Sequence, residues 1–556
     1  MKWFRLFQVL KVRDKIIVSL FVATGLGALL FWLGAFYMVS TVPVPKAGGE
    51  YIEGIVAQPR YINPILSQTS EADADLVELI YSGLFGYDGE GHLVNRLASD
   101  YTVSEDNKTY TVHLKQGVKF HDGEALTSGD VVYTIQSIQN PAYKSPLRGN
   151  WQSVEVSAPD EYTVSFSLQK PYFGFLENLT VGILPKHIWQ DISPENVFLA
   201  DYNLAPIGSG PYSFVATEKD SSGNILSYEL HAWKDYFEGS PYITKVILRF
   251  YPDESSLIDA YKRKEVIGIE SVTPHNLEKL QEQKSTRVYS LHIPRIFAVF
   301  FNITKSVPLA HDEVRLALQY ATDRRKLIDT VLLGKGEPVY SGLAPFMTGY
   351  TDLSEQSSFD VEKANALLDE HGWTRGEDGI RSKQGTVLEI NLTVPDWAEL
   401  ALTADLLKEE WQAVGVRVNV NILPPADLQQ NVIRPREYEA LLFGEAAMLD
   451  SDPFSFWHSS QKRDPGLNVA LFDNKEMDDI LTSLREELNL DKQKEQYKTF
   501  QEILQKKNPA VFLYTQDYLY VMNSTVKGMN VQNIDIAHSR LSTLKDWYIN
   551  TKRVKK

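Results

Sequence analysis

No cysteine occurs anywhere in this 556-residue sequence, and that absence removes several kinds of chemistry at once. Disulfide bonds, thiol nucleophiles and thiolate metal sites are all excluded. Attachment to a membrane through a lipid-modified cysteine is excluded for the same reason. The stability of the chain, and any membrane attachment it has, must therefore come from other side chains.

Linear catalytic signatures are also missing from the sequence. The eleven histidines are scattered singly, with no His-Glu-x-x-His pair, and there is neither a Gly-x-Ser-x-Gly elbow nor a phosphate-binding loop. A serine or glycosidase site that is assembled only in the folded chain leaves no such linear trace. The sequence therefore favours a binding protein over an enzyme, with a surface hydrolase as the alternative.

Basic residues are outnumbered by acidic ones, 56 against 72, and the formal net charge is −16 at pH 7. The first fifteen residues oppose this balance, because they hold five basic side chains and a single acid. The rest of the chain is more acidic still, and such a body repels nucleic acid and anionic membrane surfaces. We expect no nucleic-acid partner.

One long uncharged stretch follows that basic segment. Residues 16–40 carry no charge, and at about 1.5 Å of helical rise per residue they suffice to cross a hydrocarbon core of about 30 Å. The basic flank places residues 1–15 in the cytoplasm and the body outside the cell membrane. The stretch predicts a single-pass membrane anchor, with a cleavable signal peptide as the alternative. Residues 41–50, rich in proline and glycine, predict a stiff-to-flexible linker.

Two styles of patterning divide the body. Residues 110–114 alternate as in a half-buried strand, and a hairpin is predicted over 151–168. In the C-terminal half, apolar residues recur at helical spacing, and Asp323 and Asp360 are predicted helix caps. A further strand is predicted over 416–422. This alternation of helices and strands predicts an α/β fold.

Several ordered motifs carry a family resemblance, which covers roughly residues 51–545. The motifs include Tyr81-Ser-Gly-Leu-Phe-Gly-Tyr-Asp88, Lys108-Thr-Tyr-Thr-Val-His-Leu-Lys115, Gly117-Val-Lys-Phe-His-Asp-Gly123, Pro206-Ile-Gly-Ser-Gly-Pro-Tyr212, Trp411-Gln-Ala-Val-Gly-Val-Arg-Val418 and Asp452-Pro-Phe-Ser-Phe-Trp-His-Ser-Ser460. Together they resemble the bacterial extracellular solute-binding proteins of family 5. These are the oligopeptide and dipeptide receptors of ABC importers.

The resemblance implies a two-lobed, three-domain α/β fold of the periplasmic-binding-protein type II class, preceded here by the transmembrane helix. Domain I is expected to be discontinuous, over 51–90, 205–296 and 525–550. Domain II is expected over 91–204 and domain III over 297–524. The chain is expected to cross between lobes at 206–212 and near Pro294, and the lobes to trap a ligand by hinge closure.

The resemblance also implies the partners and the ligand. A monomeric receptor would capture a peptide and deliver it to permease and ATPase subunits, with no cofactor and no metal. Asp450, just before an Asp-Pro pair, is predicted to meet the α-ammonium group of the peptide. Trp457 and Trp397 from domain III, and Tyr61 and Asn63 from domain I, are predicted to line the site.

Other cargoes and another role stay open at this point. Relatives with this fold also bind nickel, haem, sugars or opines, and His458 beside a tryptophan is the most suggestive position for nickel. A lone histidine of this kind is more often a packed loop residue. A structural or interaction protein at the cell surface is the remaining alternative.

Overall fold

In the computed structural model, which describes residues 11–281, 283–449 and 452–556, two large β-sheets organise the body. The first sheet has seven strands and is mixed, because its strand Glu50–Ile55 runs parallel to both of its neighbours while the other pairs are antiparallel. Its strands, in spatial order, are Thr286–Leu291, Tyr518–Asn523, Gly268–Ile269, Glu50–Ile55, Lys245–Phe250, Ile225–Ala232 and Tyr212–Lys219.

The second sheet has six strands and builds domain III. In spatial order they are Gly336–Pro338, Ala510–Gln516, Arg295–Phe301, Ala440–Ala446, Glu389–Pro395 and Arg417–Leu423. Alternate residues of the strand Arg295–Phe301 point to opposite faces. One face packs against the helices Asp312–Tyr320, Arg324–Val331, Val361–Glu370 and Ala398–Ala413. The other face packs against the helices Lys475–Glu486 and Leu490–Lys507. The predicted α/β class is confirmed.

Domain II is a four-stranded antiparallel sheet with one helix against it. The strands, in spatial order, are Ala98–Val103, Thr109–Leu114, Thr163–Leu168 and Val154–Asp160. The predicted alternation over 110–114 is confirmed, since Tyr110, Val112 and Leu114 are buried. The helix Ser128–Gln139 begins with a reciprocal capping box between Thr127 and Asp130.

Shorter elements complete the body. The remaining α-helices of the body are Glu71–Ile80, Arg148–Trp151, Phe175–Asn178, Lys186–Trp189, Glu254–Lys262, Pro274–Gln281, Pro425–Asp427 and Phe454–Trp457, and Leu428–Ile433 is a π-helix. The body also has the short strands Phe85–Tyr87, Leu93–Asn95, Thr374–Arg375, Arg381–Lys383 and Thr386–Val387. Both predicted caps of domain III are confirmed, because Asp323 accepts a hydrogen bond from the amide of Lys326 and Asp360 from that of Lys363.

The chain passes between the two large sheets at two places. Residues 292–294 join a strand of the first sheet to one of the second, and Asp517 alone separates Ala510–Gln516 from Tyr518–Asn523. The predicted crossing near Pro294 is confirmed. The predicted end of domain III at 524 is wrong, because Tyr518–Asn523 pairs within the first sheet.

The segment over 206–212 joins domain II to domain I and does not cross between lobes. Gly210 donates a backbone hydrogen bond to the carbonyl of Ile80, and a Cβ on Gly208 would collide with that same carbonyl. His121 ties the segment down, since its Nε2 lies 3.0 Å from the Gly210 oxygen and its Nδ1 accepts from the Gly208 amide. The glycines therefore permit a close backbone approach.

The N-terminal helix runs from Val12 to Ser40, four residues longer at its start than the predicted span. It is the one helix in the described ranges that is long and apolar enough to cross a membrane, and its apolar side chains are exposed. The predicted linker over 41–50 is wrong. Thr41–Lys46 forms a strand that pairs antiparallel with the C-terminal strand Asn550–Lys555.

Candidate ligand-binding site between the lobes

A cavity of about 560 Å³ lies where the two lobes meet. Domain I lines it with parts of 64–87 and 535–545, and domain II with residues around Trp151 and Thr180. The second lobe contributes residues 446–448, which follow the strand Ala440–Ala446. Ile293, Pro294 and Arg295 close it at the chain crossing. All three domains therefore contribute to the lining of one cavity, as expected for a ligand trapped between lobes.

The motif Tyr81-Ser-Gly-Leu-Phe-Gly-Tyr87 forms part of this wall. A Cβ on Gly83 would collide with the backbone oxygen of Thr180 in domain II. Glycine at this position therefore lets the two domains approach closely at the cavity surface. Packing between domains at the cavity therefore explains why the motif contains this glycine. The sequence alone does not show that the motif lines the cavity.

Carboxylates dominate the charged lining on the side of the first lobe, where Glu71, Glu78 and Asp535 all border the cavity. The pKa of Glu78 is raised to about 7, mainly by burial; Arg96 opposes the rise, and Asp535 and Asp75 add to it. Burial likewise raises the pKa of Asp535. A cation that enters the cavity therefore meets carboxylates that gain stability by ionising beside it.

Most cations of the lining already have partners. Arg96 pairs with Glu238 at 2.7 Å and donates to the backbone oxygens of Tyr87 and Ser542. Lys545 pairs with Asp546 at 2.9 Å. Burial lowers the pKa of His538 to about 4, so its imidazole is neutral at pH 7. These groups do not offset the acidic wall toward an incoming ligand.

Arg295 is the exception among these cations. It is the first residue of the strand Arg295–Phe301, it is exposed, and it borders the cavity at the chain crossing. Its guanidinium forms no ion pair with the residues that the structure describes. The cavity thus presents carboxylates on one lobe and a guanidinium at the hinge, an arrangement suited to a zwitterionic ligand.

A buried ion network supports the acidic wall from behind. Arg540 is fully buried and binds Asp75 through two nitrogens, at 2.6 and 2.7 Å, and Glu53 at 2.6 Å. Glu53 lies on the central strand and Asp75 on the helix Glu71–Ile80, which also carries Glu78. The network therefore fixes that helix and the segment around His538 to the sheet.

Domain II also contacts domain III directly. The amide of Phe173 donates to the carbonyl of Arg485 at 3.0 Å, and Lys170 pairs with Glu486 at 3.3 Å. The guanidinium of Arg485 binds Asp452 at 2.6 Å. The contacts of Phe173 and Lys170 join the two lobes, so the structure is in a closed arrangement.

The structure places two predicted wall residues differently from expectation. Trp457 is only 1% exposed and packs against Phe300 and Phe512 in the core of domain III, which leaves no ring surface for a ligand. Trp397 is 43% exposed and stacks on Phe443, outside the lining of the cavity. Ligand contact by Trp397 stays a prediction.

The two predicted residues of domain I also lie away from the cavity lining. Asn63 is fully buried, and its Oδ1 accepts the amide of Ile65, so it stabilises a turn. Tyr61 packs edge-on against Phe198. Asp450 lies outside the described residues, although Met448, two positions earlier, borders the cavity. Its role as the ammonium partner stays a prediction.

His458 does not belong to a metal site in this structure. Its ring stacks on Phe454 and its Nδ1 lies 2.8 Å from the hydroxyl of Ser460. Across residues 11–281, 283–449 and 452–556, no group of three or more His, Asp or Glu side chains has an arrangement that would hold a metal ion.

The important lining residues that sequence reasoning missed are Glu78, Arg295 and Asp535. Glu78 sits in an amphipathic helix and resembles any solvated acid, while Arg295 and Asp535 are far from each other in sequence. One signal was available, because the motif around Tyr81 directly follows the helix that carries Glu78. Proximity to the most distinctive motif would have singled that acid out.

Comparisons with known proteins agree with this architecture. The chain is 27% identical over 500 residues to the oligopeptide-binding protein AppA of Bacillus subtilis, covering 87% of this chain and 89% of that protein. The solved ABC transporter substrate-binding protein CtaP of Listeria monocytogenes has a TM-score of 0.79 and 27% identity, covering 90% of this chain and 99% of that one.

A third similar structure is NikZ of Campylobacter jejuni in complex with Ni(L-His), with a TM-score of 0.73 and 24% identity, covering 90% of this chain and 99% of that one. At this identity the likeness shows the fold alone. The model of a whole family matches residues 92–466. The chain therefore belongs to the bacterial extracellular solute-binding proteins, family 5.

Proposed function

We propose that this protein is a membrane-anchored receptor of an ABC importer that captures peptides between its lobes. The observation that carries the proposal is the cavity itself, which is lined by both lobes and has carboxylates and the guanidinium of Arg295 in its lining. A peptide with free ends carries an ammonium and a carboxylate, and each meets a group of opposite charge here. The likeness to the oligopeptide-binding protein AppA supports the same cargo class.

Two carboxylates are proposed to serve the ammonium end. Glu78 faces the cavity from the first lobe, and Asp450 follows Met448, which borders it from the second. Arg295 is proposed to receive the carboxylate end or a backbone carbonyl. Charge-assisted hydrogen bonds in a closed, poorly hydrated site are stronger than exposed pairs.

The most direct experiment identifies what the purified protein carries. Mass spectrometry of the compounds released on denaturation should find peptides, and calorimetry with the recovered peptides should give binding by the emptied protein. A matched series of free-amine and N-acetylated peptides then tests the ammonium contact. The same calorimetry is carried out with nickel and histidine. Binding of the nickel–histidine complex, without binding of any peptide, would contradict the proposed cargo.

The proposal also covers the anchor and the partners. The helix Val12–Ser40 would span the cell membrane with the body outside, and a permease and an ATPase would receive the cargo from a monomeric receptor. Protease added to intact, wall-stripped cells should digest the body while a cytoplasmic control protein survives. Survival of the body together with that control would contradict the orientation.

A further inference from the structure

The two ends of the body meet at the end of the N-terminal helix. The strand Thr41–Lys46 follows the helix without a gap and pairs with Asn550–Lys555, so that Thr41 lies opposite Lys555. The amide of Lys556 donates to the carbonyl of Ser40 at 3.0 Å. The last residue of the sequence is therefore level with the last residue of the helix.

Arg553 fastens this strand to the helix end. Its Nη2 donates to the carbonyls of Met38 and Thr41, at 2.8 and 2.7 Å, and its Nε to the Thr41 hydroxyl at 2.8 Å. The last carbonyls of a helix lack partners within the helix, and a cation at that end is favourable. The contact fixes how far the C-terminal strand stands from the membrane-spanning segment.

The same small element concentrates positive charge on an acidic protein. Lys552, Lys555 and Lys556 are exposed, as is Lys46 on the paired strand. Within the described chain these four ammonium groups form no ion pair, and residues 547–556 contain no acid. The whole chain nevertheless carries a net charge of −16.

The position of the helix determines what these lysines face. A hydrocarbon core of about 30 Å takes about 20 helical residues, so a span that starts near Ile16 leaves it before Tyr37. Trp32, Phe36 and Tyr37 are aromatic and exposed, as in the interfacial belt of membrane proteins. Thr41 and Lys555, which lies opposite it, then lie among the phospholipid headgroups.

We propose that the C-terminal strand is a lipid-binding element whose lysines bind the phosphates of anionic phospholipids in the outer leaflet. The proposal rests on the membrane anchoring proposed above. Lys and Arg near an anionic surface are attracted to it, whereas the acidic body is repelled. The two forces together would hold the C-terminal strand against the membrane and keep the acidic body away from its surface.

The test uses the full chain in two kinds of nanodisc, one of phosphatidylcholine alone and one with phosphatidylglycerol added. Incorporation of the protein into the discs reports anchoring by itself, independently of lipid type. Photo-crosslinking from a headgroup-labelled phosphatidylglycerol, followed by peptide mapping, then reports contact with residues 547–556. Amide hydrogen exchange of Thr41–Lys46 and Asn550–Lys555 checks that the strands stay paired.

The decisive variant is the triple substitution Lys552→Gln, Lys555→Gln and Lys556→Gln, which leaves Arg553 and the backbone pairing in place. We expect crosslinking of the C-terminal peptide to fall about tenfold, and its exchange protection in phosphatidylglycerol discs to drop to the level seen in phosphatidylcholine. The matched control neutralises three exposed lysines of the second lobe, Lys494, Lys498 and Lys506, and should change neither readout.

The outcomes separate the two proposals. Failure of the wild-type chain to enter either disc would contradict the anchor and with it the lipid contact. Normal incorporation with equal crosslinking of the wild type and the triple variant would overturn the lipid contact alone. Normal incorporation with exchange protection that appears only when permease is added would show that the strand faces a protein instead.

Discussion

Phe173 of domain II donates its amide hydrogen to the backbone oxygen of Arg485 in domain III, at 3.0 Å. Around this bond, the Tyr172 hydroxyl lies 3.4 Å from Asp452, and the Arg485 guanidinium lies 3.8 Å above the ring of Phe454. These contacts between domains II and III are additional to the chain crossings at 292–294 and Asp517. This cluster is therefore placed to set how long the cleft stays closed.

Loss of the Arg485 side chain should weaken closure. Arg485→Ala removes the cation beside the ring of Tyr172 in domain II and the partner that holds Asp452 near the Tyr172 hydroxyl, so a bound peptide should dissociate about tenfold faster. Stopped-flow dissociation measures the rate, and small-angle scattering should show a larger radius of gyration without ligand. Arg417→Ala, on an exposed ion pair of the same lobe, is the control and should change neither. An unchanged dissociation rate would contradict a role in closure.

The affinity for a cationic ligand should depend on pH through Glu78. Its pKa of about 7 means that the carboxyl is largely protonated at about pH 6 and ionised at about pH 8. Binding of a free-amine peptide should therefore strengthen over that interval by up to about tenfold. Calorimetry with Glu78→Gln should show no such strengthening, while Glu278→Gln, outside the cavity, should keep it. An increase of affinity with pH that survives in Glu78→Gln would show that another group causes it.

Asp450→Asn tests the second proposed ammonium contact. Loss of one partner of a desolvated charge pair costs about 2–5 kcal/mol, so a free-amine peptide should bind about 30-fold more weakly or worse. An N-acetylated peptide should be affected far less, and this comparison separates the contact from a folding defect. Asp405→Asn, exposed on the same lobe, is the control variant. Equal affinities of the wild type and Asp450→Asn would leave Glu78 as the ammonium partner.

Breaking the buried network around Arg540 should strongly destabilise the first lobe. Arg540→Met leaves the carboxylates of Glu53 and Asp75 buried without their cation, which should lower the free energy of unfolding by about 3–5 kcal/mol. Urea denaturation measures the loss. Arg263→Met, on the exposed pair with Glu265, should cost less than about 1 kcal/mol. Adding Glu53→Gln and Asp75→Asn to Arg540→Met should recover part of the loss, and no recovery would argue against unpaired charge as its cause.

Glu445 should make the protein less stable as the pH rises. Burial raises its pKa from 4.5 to about 8, so the folded protein keeps a proton that the unfolded chain has lost. Its contribution is therefore fully present below about pH 4.5 and is lost as the pH rises through about 8, at about 1.4 kcal/mol for each pKa unit. Glu445→Gln removes this titration. The free energy of unfolding of the variant, relative to wild type, should rise between these pH values, and a constant difference would contradict the assignment.

Local interactions explain what sequence reasoning predicted well. The side chains of Asp323 and Asp360 cap their helices by accepting hydrogen bonds from amides three residues later in the chain. In the strand over 110–114, the simple alternation of apolar and polar residues identifies the buried face. The apolar run that becomes Val12–Ser40 was equally readable, because length and lack of charge are properties of one continuous segment. In each case the interacting residues are close together in sequence, so the local sequence pattern is enough to predict the element.

Partners far apart in sequence account for what only the folded chain decided. Thr41–Lys46 reads as a proline-rich linker because its partner strand lies some 500 residues away, and no local pattern encodes that pairing. Trp457 is a large aromatic residue of the kind that often lines binding sites, but packing against Phe300 and Phe512 buries it. The cavity depends on three domains at once, so the sequence by itself determined the elements and the family, and tertiary packing decided which side chains face the ligand.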